Sequence, residues 1–468
     1  MERAPPGHRV RPPPSAEGAP ERGKRRQLRR GCLTSRHECC CRLCMKSALC
    51  FLIAAKRCEI AGLRQLTLTS ELVHAIGQLV HTLQRERGLS NLYLGSQGQH
   101  AAAQRQAQAD NSDAWQAEVR AAFDRLDTEA SRAGSGSRLY ARIAYALQGL
   151  DALPELRLRV ATRQWSAERA TAAYIRLING LLAVVFEAAD GATDPDISRH
   201  LVALFNFLQG KEFTGQERAT GAALFAGGRA ETDGQQRLLH LIDSQERCLR
   251  VFADFASSVL QQLWQRVQRP EVMAALERQR RILLTAPPGG PLDASHSQTW
   301  FDTCTERLEA MKTVEDALAA ELHALCQARL QQAEQELAAL EQVEQRGHAA
   351  DSAEFFDDAS PVPASLPPPL PAGGQAYGPQ VERSILELVQ AQAQRLQSMS
   401  DELDTVRASL QERKTIERAK GLLMAHRQLN EDEAHKTMRQ MAMNQNKRLI
   451  DVAEAVLAMA EVLPARNR

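Results

Sequence analysis

The sequence predicts an all-α fold: a helical bundle, then a linker and a coiled-coil helix, then a small C-terminal three-helix module. Three observations predict it. Apolar residues recur at steps of three and four over long stretches, the spacing of one helical face. Long strands rich in Val, Ile, Thr and aromatics are missing, while alanine, leucine and glutamine abound. A length of 468 residues leaves room for a large core and two or three domains.

Residues 1–65 differ in character from the rest of the chain. A Pro-rich stretch without a period gives way to KRRQLRR, and seven of the ten cysteines crowd between Cys32 and Cys58. A zinc reading would use His37, Cys41, Cys44 and one more cysteine, but the spacing lacks two clean pairs. The expectation is a disordered basic, Cys-rich extension holding no metal. The overall net charge of +1 hides a division. Residues 1–66 carry 15 basic and 5 acidic side chains and residues 412–468 carry 11 and 8, so the centre is acidic. An anion bound in that centre must be held by a few local arginines, because the field of the whole region opposes it. No apolar run approaches the ~20 residues of a membrane span, and Ala48–Ala55 is too short for a signal peptide. A cytoplasmic protein is expected.

The bundle is expected over residues 66–345. Leu72, Ile76, Leu79, Leu83, Ser90 and Leu94 form a stripe whose one gap is Arg87, inside QRERGLSNLYL. A second stripe runs Leu201, Leu204, Leu208, Lys211, Gly215, Arg218, Ala222, Phe225. Both contain Glu-Arg followed three places on by a small residue: Glu86-Arg87 with Ser90, and Glu217-Arg218 with Gly221. An unpaired arginine turned inward costs several kcal/mol, on the order of what breaking a buried ion pair costs. Each therefore needs a carboxylate, carbonyls or a bound anion. On the residues alone, intramolecular Arg–Glu bridges and a ligand site stand level.

The blocks LVHTLQRERGLSNLYL, KEFTGQERATGAALF, RQRRILL and WFDTCTERLEAMKTVE, the last with Trp300, Phe301 and Thr305, tip that balance. Residues from about Leu66 to Met311 resemble the NIT domain, an all-helical nitrate- and nitrite-sensing module of bacterial regulators. The resemblance implies a small oxyanion held by arginines, with no cofactor besides that effector. Carried over by motif, Arg87 and Arg218 are the ligand-binding candidates. Arg280, on the stripe Val272, Leu276, Arg280, Leu283, is the third, contested by Arg278 and Arg281. A planar anion such as nitrate suits the guanidinium fork, which offers paired hydrogen bonds. Lys211 and Gln216 read as structural, and Arg85, off the stripe, as a solvated charge.

A helix from Met311 to about Val343 leads into an acidic, Pro-rich linker over residues 346–380. Over residues 381–411, Ile385, Val389, Gln392, Leu396, Met399, Leu403, Val406 and Leu410 step by four and three, a seam of about four heptads. The expectation is a coiled coil joining two chains as a homodimer. The competing reading packs this helix on its own bundle.

Residues 412–468 read as three short helices. Ile416, Ala419, Leu422, Leu423 and Met424 lie on the first; Asn430 with Glu433 suggests a capping box for the second; the third runs from about Leu449 to Leu463. IERAKGLLM, followed by DEA and AM at this spacing, resembles the ANTAR domain, the RNA-binding output domain of antitermination regulators. The module contains no Phe, Tyr or Trp, so stacking of bases on aromatic side chains is ruled out. RNA contact falls to Lys414, Arg418, Lys420 and Arg439 on phosphates and loop bases, with close backbone approach at Gly421. Ala419, Met424, Ala442 and Met443 read as core.

Enzyme motifs are missing: the sequence has no GxxxxGK[ST], HExxH or GxSxG. The two resemblances together imply a nitrate- or nitrite-responsive antiterminator. It would bind hairpins in nascent leader mRNA and permit expression of nitrate-assimilation genes. A DNA-binding regulator and a non-enzymatic interaction scaffold are the competing classes.

Overall fold

The computed structural model describes residues 48–126, 136–345, 385–427, 429, 431–445 and 447–462. Among them are thirteen α-helices and no strand, only an isolated bridge between Arg229 and Pro291. The helices are α1 (Ala48–Gly95), α2 (Ala102–Asp124), α3 (Gly136–Asp151), α4 (Leu153–Ala161), α5 (Ala167–Asp190), α6 (Pro195–Gly227) and α7 (Thr232–Phe255). They continue as α8 (Ser258–Val267), α9 (Pro270–Thr285), α10 (His296–Gln345), α11 (Ile385–Arg427), α12 (Glu431–Gln445) and α13 (Leu449–Val462).

Local chemistry sets the ends. Asp194 accepts a hydrogen bond from the Ile197 amide at 3.0 Å, with Pro195 in the first turn of α6. Ser166 and Ser257 cap α5 and α8 in the same way. At the far end of α6, Gly228 takes φ 65°, a left-handed cap that a Cβ would strain.

Helices α1, α5, α6 and α10 share one core, in which Leu72, Ile76, Leu79, Leu83, Leu201, Leu208, Met311, Val314 and Leu318 are buried. The two stripes read from sequence are thus the inner faces of α1 and α6. A second core joins the end of α6 to α7, α9 and the start of α10 through Phe225, Leu238, Leu276, Leu283 and Trp300. A third holds the C-terminal module together: Ala419, Leu423, Ala434, Met438, Ala442, Val452, Ala453 and Val456.

Several expectations change. Helix α1 starts at Ala48, well ahead of Leu66, because Ile53, Ile60 and Leu63 are buried too. The zinc candidates His37, Cys41 and Cys44 and the linker 346–380 lie outside the described residues, as does the capping residue Asn430. Helix α5 is long and apolar enough to cross a membrane, with a window of mean hydropathy 1.5, contrary to the reading that no run approaches that length. Its position explains this. Tyr174, Leu181 and Val185 are fully buried, so the apolar run of α5 packs inside the bundle, while Arg169, Arg176 and Asn179 lie on its exposed side.

The heptad seam on α11 is half used within the chain. Leu403, Val406 and Leu410 are buried, and the last two belong to the bundle core, whereas Leu396 is 52% exposed. The seam expected to face a second copy faces α6 and α1 instead over its C-terminal half. In the output module Ala419 and Ala442 are core as expected. Met424 and Met443 are not: both are exposed, because each falls off the stripe that faces the small core.

Candidate functional site

The two Glu-Arg pairs sit on facing helices, and the structure solves their charges differently. On α1, Glu86 is fully buried and takes Arg157 in a two-pronged bridge at 2.7 and 3.0 Å, with the Tyr174 hydroxyl donating at 2.9 Å. Burial opposes the charge on Arg157, but Glu86 outweighs it and raises the guanidinium above its ordinary range. Arg87, also buried, donates to both oxygens of Glu212 on α6 at 2.5 and 3.3 Å. Gln84 and Gln216 donate to the same carboxylate at 2.8 and 2.9 Å. An Nη of Arg87 lies only 2.7 Å from where a Cβ would stand at Gly215, so glycine there makes room for the guanidinium.

On α6, Glu217 repeats the role of Glu86. It takes Arg280 from α9 at 2.6 and 2.8 Å, and Gln245 from α7 at 2.5 Å. Burial opposes the Arg280 charge and Glu217 outweighs it, again raising the group above its usual range. Arg280 is the inward residue of its cluster; Arg278 and Arg281 are exposed.

Arg218 breaks the pattern. Only 7% exposed, it forms no ion pair among the described residues. It donates to the Thr305 hydroxyl at 2.9 Å and lies over the Phe301 ring at 4.6 Å. One Nη is 3.1 Å from a would-be Cβ at Gly88, so here too a glycine admits a guanidinium. Burial first, and the nearby Arg87 charge second, push Arg218 down to about 10. A buried cation lacking an anion beside a second cation is an arrangement that an incoming oxyanion relieves. Of the three candidate arginines, the structure therefore neutralises Arg87 and Arg280 with carboxylates and leaves Arg218 uncompensated. The recurring small residues serve packing: a Cβ at Gly221 would fall inside the Trp300 indole, whose Nε1 donates to the Arg218 carbonyl at 2.9 Å. Lys211 is structural, bonded to Glu315 at 2.7 Å and close to His81.

Among the arginines that escaped the sequence reading is one on α10. Arg307 is 7% exposed and its Nε and Nη1 have no partner among the described residues. The signal was present, because Trp300, Cys304, Arg307, Met311 and Val314 step by four, three, four and three.

The output residues face two ways. Lys414 pairs with Asp190 of α5 at 2.6 Å and sits over the Phe186 ring. Arg439 pairs with Asp243 of α7, and Lys436 donates to Gln236. Between them the His240 and His435 rings meet at 4.8 Å. Arg413, one residue before Lys414, lies over Phe205 and donates to Asn206 at 3.1 Å. Lys420 is buried and pairs with Glu417 at 2.8 Å. Of the five candidates, Arg418 and Gly421 are exposed without such a contact to the bundle among the described residues, and nothing described stands within 4 Å of a Cβ at Gly421.

Two family models match this chain. A family model described as nitrate and nitrite sensing, NIT, matches residues 78–323, and the ANTAR domain model matches residues 404–457. The nitrate regulatory protein of Klebsiella oxytoca is 33% identical over 406 residues, which cover 86% of this chain and 93% of that one. A solved structure, that of the NasR transcription antiterminator, is 32% identical, covering 88% of this chain and 99% of its own, with a TM-score of 0.55.

Proposed function

This chain belongs to the family of nitrate-responsive transcription antiterminators that join a NIT sensor to an ANTAR output domain, and from that premise we propose how its own residues carry the response. Nitrate or nitrite binds at Arg218, with Arg87 as the second contact and Arg280 holding Glu217 in place beside it. The single observation that carries this assignment is that Arg218 is buried without a carboxylate while its two companions have one. A planar oxyanion received by a guanidinium fork gains charge-assisted hydrogen bonds, roughly twice as strong as neutral ones.

The output side is held in a docked state. Lys414 and Arg439, two of the RNA-contact candidates, are engaged by Asp190 and Asp243 of the sensor. Anion binding favours an undocked state in which both lysine and arginine turn to RNA phosphates, joined by Arg418, Lys420 and the open backbone at Gly421. The module then grips hairpins of nascent leader mRNA, so that transcription of nitrate-assimilation genes continues past the terminator, in the cytoplasm where transcripts arise. Moving such an equilibrium from 1:99 to 99:1 needs about 5.5 kcal/mol of differential ligand affinity. Release also frees the buried half of the α11 seam for pairing with a second copy as a homodimer.

In vitro antitermination tests the scheme directly. Arg218→Ala abolishes the nitrate response, while Asp190→Ala combined with Asp243→Ala gives read-through without nitrate. Nitrate dependence that survives intact in Arg218→Ala refutes the site. A duplex DNA that outcompetes hairpin RNA at matched salt would favour a DNA-binding regulator instead.

A further inference from the structure

Arg307 and the cleft beside it are not used by the scheme above. The side chain projects from α10 two residues beyond Thr305, the partner of Arg218. Two helical positions are about 200° apart, so Arg307 and the Arg218 contact lie on opposite faces of α10. Its own face meets the joint between α8 and α9. There Trp264, Val267, Gln268, Met273 and Ala310 join Arg307 around a cavity of about 20 Å³, with the Arg269–Glu306 ion pair at its edge.

The chemistry of this cleft is one-sided. Arg307 is more than nine-tenths buried, its Nε and Nη1 donate to nothing, and no ion pair reaches it among the described residues. The acid that acts on it most strongly, Glu217, is already spent on Arg280 and Gln245. A water could accept from the orphan nitrogens but could not neutralise the charge. The rest of the wall is apolar except for the Gln268 amide, which donates to the Trp264 carbonyl, and for Arg269 and Glu306, whose charges are spent on each other. A space of this size takes a guest about as large as one water.

We propose that this cleft is a second anion site, separate from the Arg218 site, holding a monovalent inorganic anion of halide size on Arg307 Nε and Nη1. The anion ties the α8–α9 joint to α10 and so sets where α9 presents Arg280. Chloride and nitrate share the chemistry, and only their size separates them here. The cleft holds its anion independently of how nitrate is sensed at Arg218.

The test is ³⁵Cl NMR line broadening with the full chain, in a gluconate buffer, on an Arg218→Gln background so that the other arginine site is removed. Saturable excess broadening is expected, falling to the level of buffer when Arg307→Gln is added. Ala310→Leu, which fills the cleft and keeps the arginine, gives the same loss and covers the case in which Arg307→Gln does not fold. Nitrate titrated into the same sample displaces chloride if the site admits both anions, and leaves the broadening unchanged if it is restricted to halide; either result fits an anion held at Arg307. Broadening that persists in both cleft variants, or that is missing from the folded Arg218→Gln protein, overturns the proposal.

Discussion

Among the arginines that turn into the bundle, Arg87, Arg157, Arg218 and Arg280 differ in whether a carboxylate meets the guanidinium. Arg87 has Glu212, Arg280 has Glu217 and Arg157 has Glu86, whereas Arg218 has a hydroxyl and an aromatic ring. Removing one side of a buried bridge leaves a stranded charge, at a cost of about 3–5 kcal/mol. Glu212→Ala is therefore expected to lower stability by that amount in urea unfolding. Arg218→Leu is expected to do the reverse and raise nitrate-free stability by about 1–4 kcal/mol, since it replaces an uncompensated charge with an apolar side chain. Equal destabilisation by the two variants would show that Arg218 is as well neutralised as Arg87. The sequence made the inward position of both arginines legible, because each interrupts or occupies an apolar stripe. It could not say which would find a carboxylate. That depends on the register of α1 against α6, which brings Glu212, rather than Glu217, opposite Arg87.

At the scale of elements, α11 is the part whose sequence pattern and whose structure diverge. Its heptad stripe fits a coiled coil and equally fits one side of a bundle, since both use steps of three and four. Periodicity alone cannot name the partner, and the bundle core takes Val406 and Leu410. The docked helix is held by burial more than by charge. Arg439–Asp243, half exposed on its arginine side, is a contact of a kind worth about 0.2–1 kcal/mol, whereas Lys414–Asp190 is mostly buried. Leu410→Asp, placing a charge in the shared core, is expected to release α11 and raise hairpin-RNA affinity without nitrate several-fold more than Asp243→Ala does. Filter binding with the two variants would check the order. Met424 and Met443 show the same limit of the sequence at smaller scale, for a three-helix core too small to use every apolar residue leaves some of them outside.

For the molecule as a whole, acid should loosen the docked state. Burial first, then Arg247, His240, Lys420 and Arg439, lower the His435 imidazole to about 3. Burial and Lys211 lower His81 to about 2 inside the bundle. Each ring is neutral in both folded and unfolded chains above the ordinary value of 6.5. Below it, the unfolded chain takes up a proton that the folded one refuses, so stability falls as pH drops from about 6.5 toward 3. Melting temperatures between pH 7.5 and 5 are expected to decline accordingly, with a shallower slope in His435→Asn. The all-α class was legible from composition and stripes. The docking of output on sensor was not, because its contacts join residues such as Lys436 and Gln236 that carry no local pattern. Central to all of this is the proposal that Arg218 turns nitrate binding into a change at the RNA surface. Fluorescence anisotropy of a labelled leader hairpin, titrated with the full chain in increasing nitrate, measures that link. Affinity is expected to rise with nitrate in the natural protein and to stay flat in Arg218→Ala; an equal rise in both would contradict it.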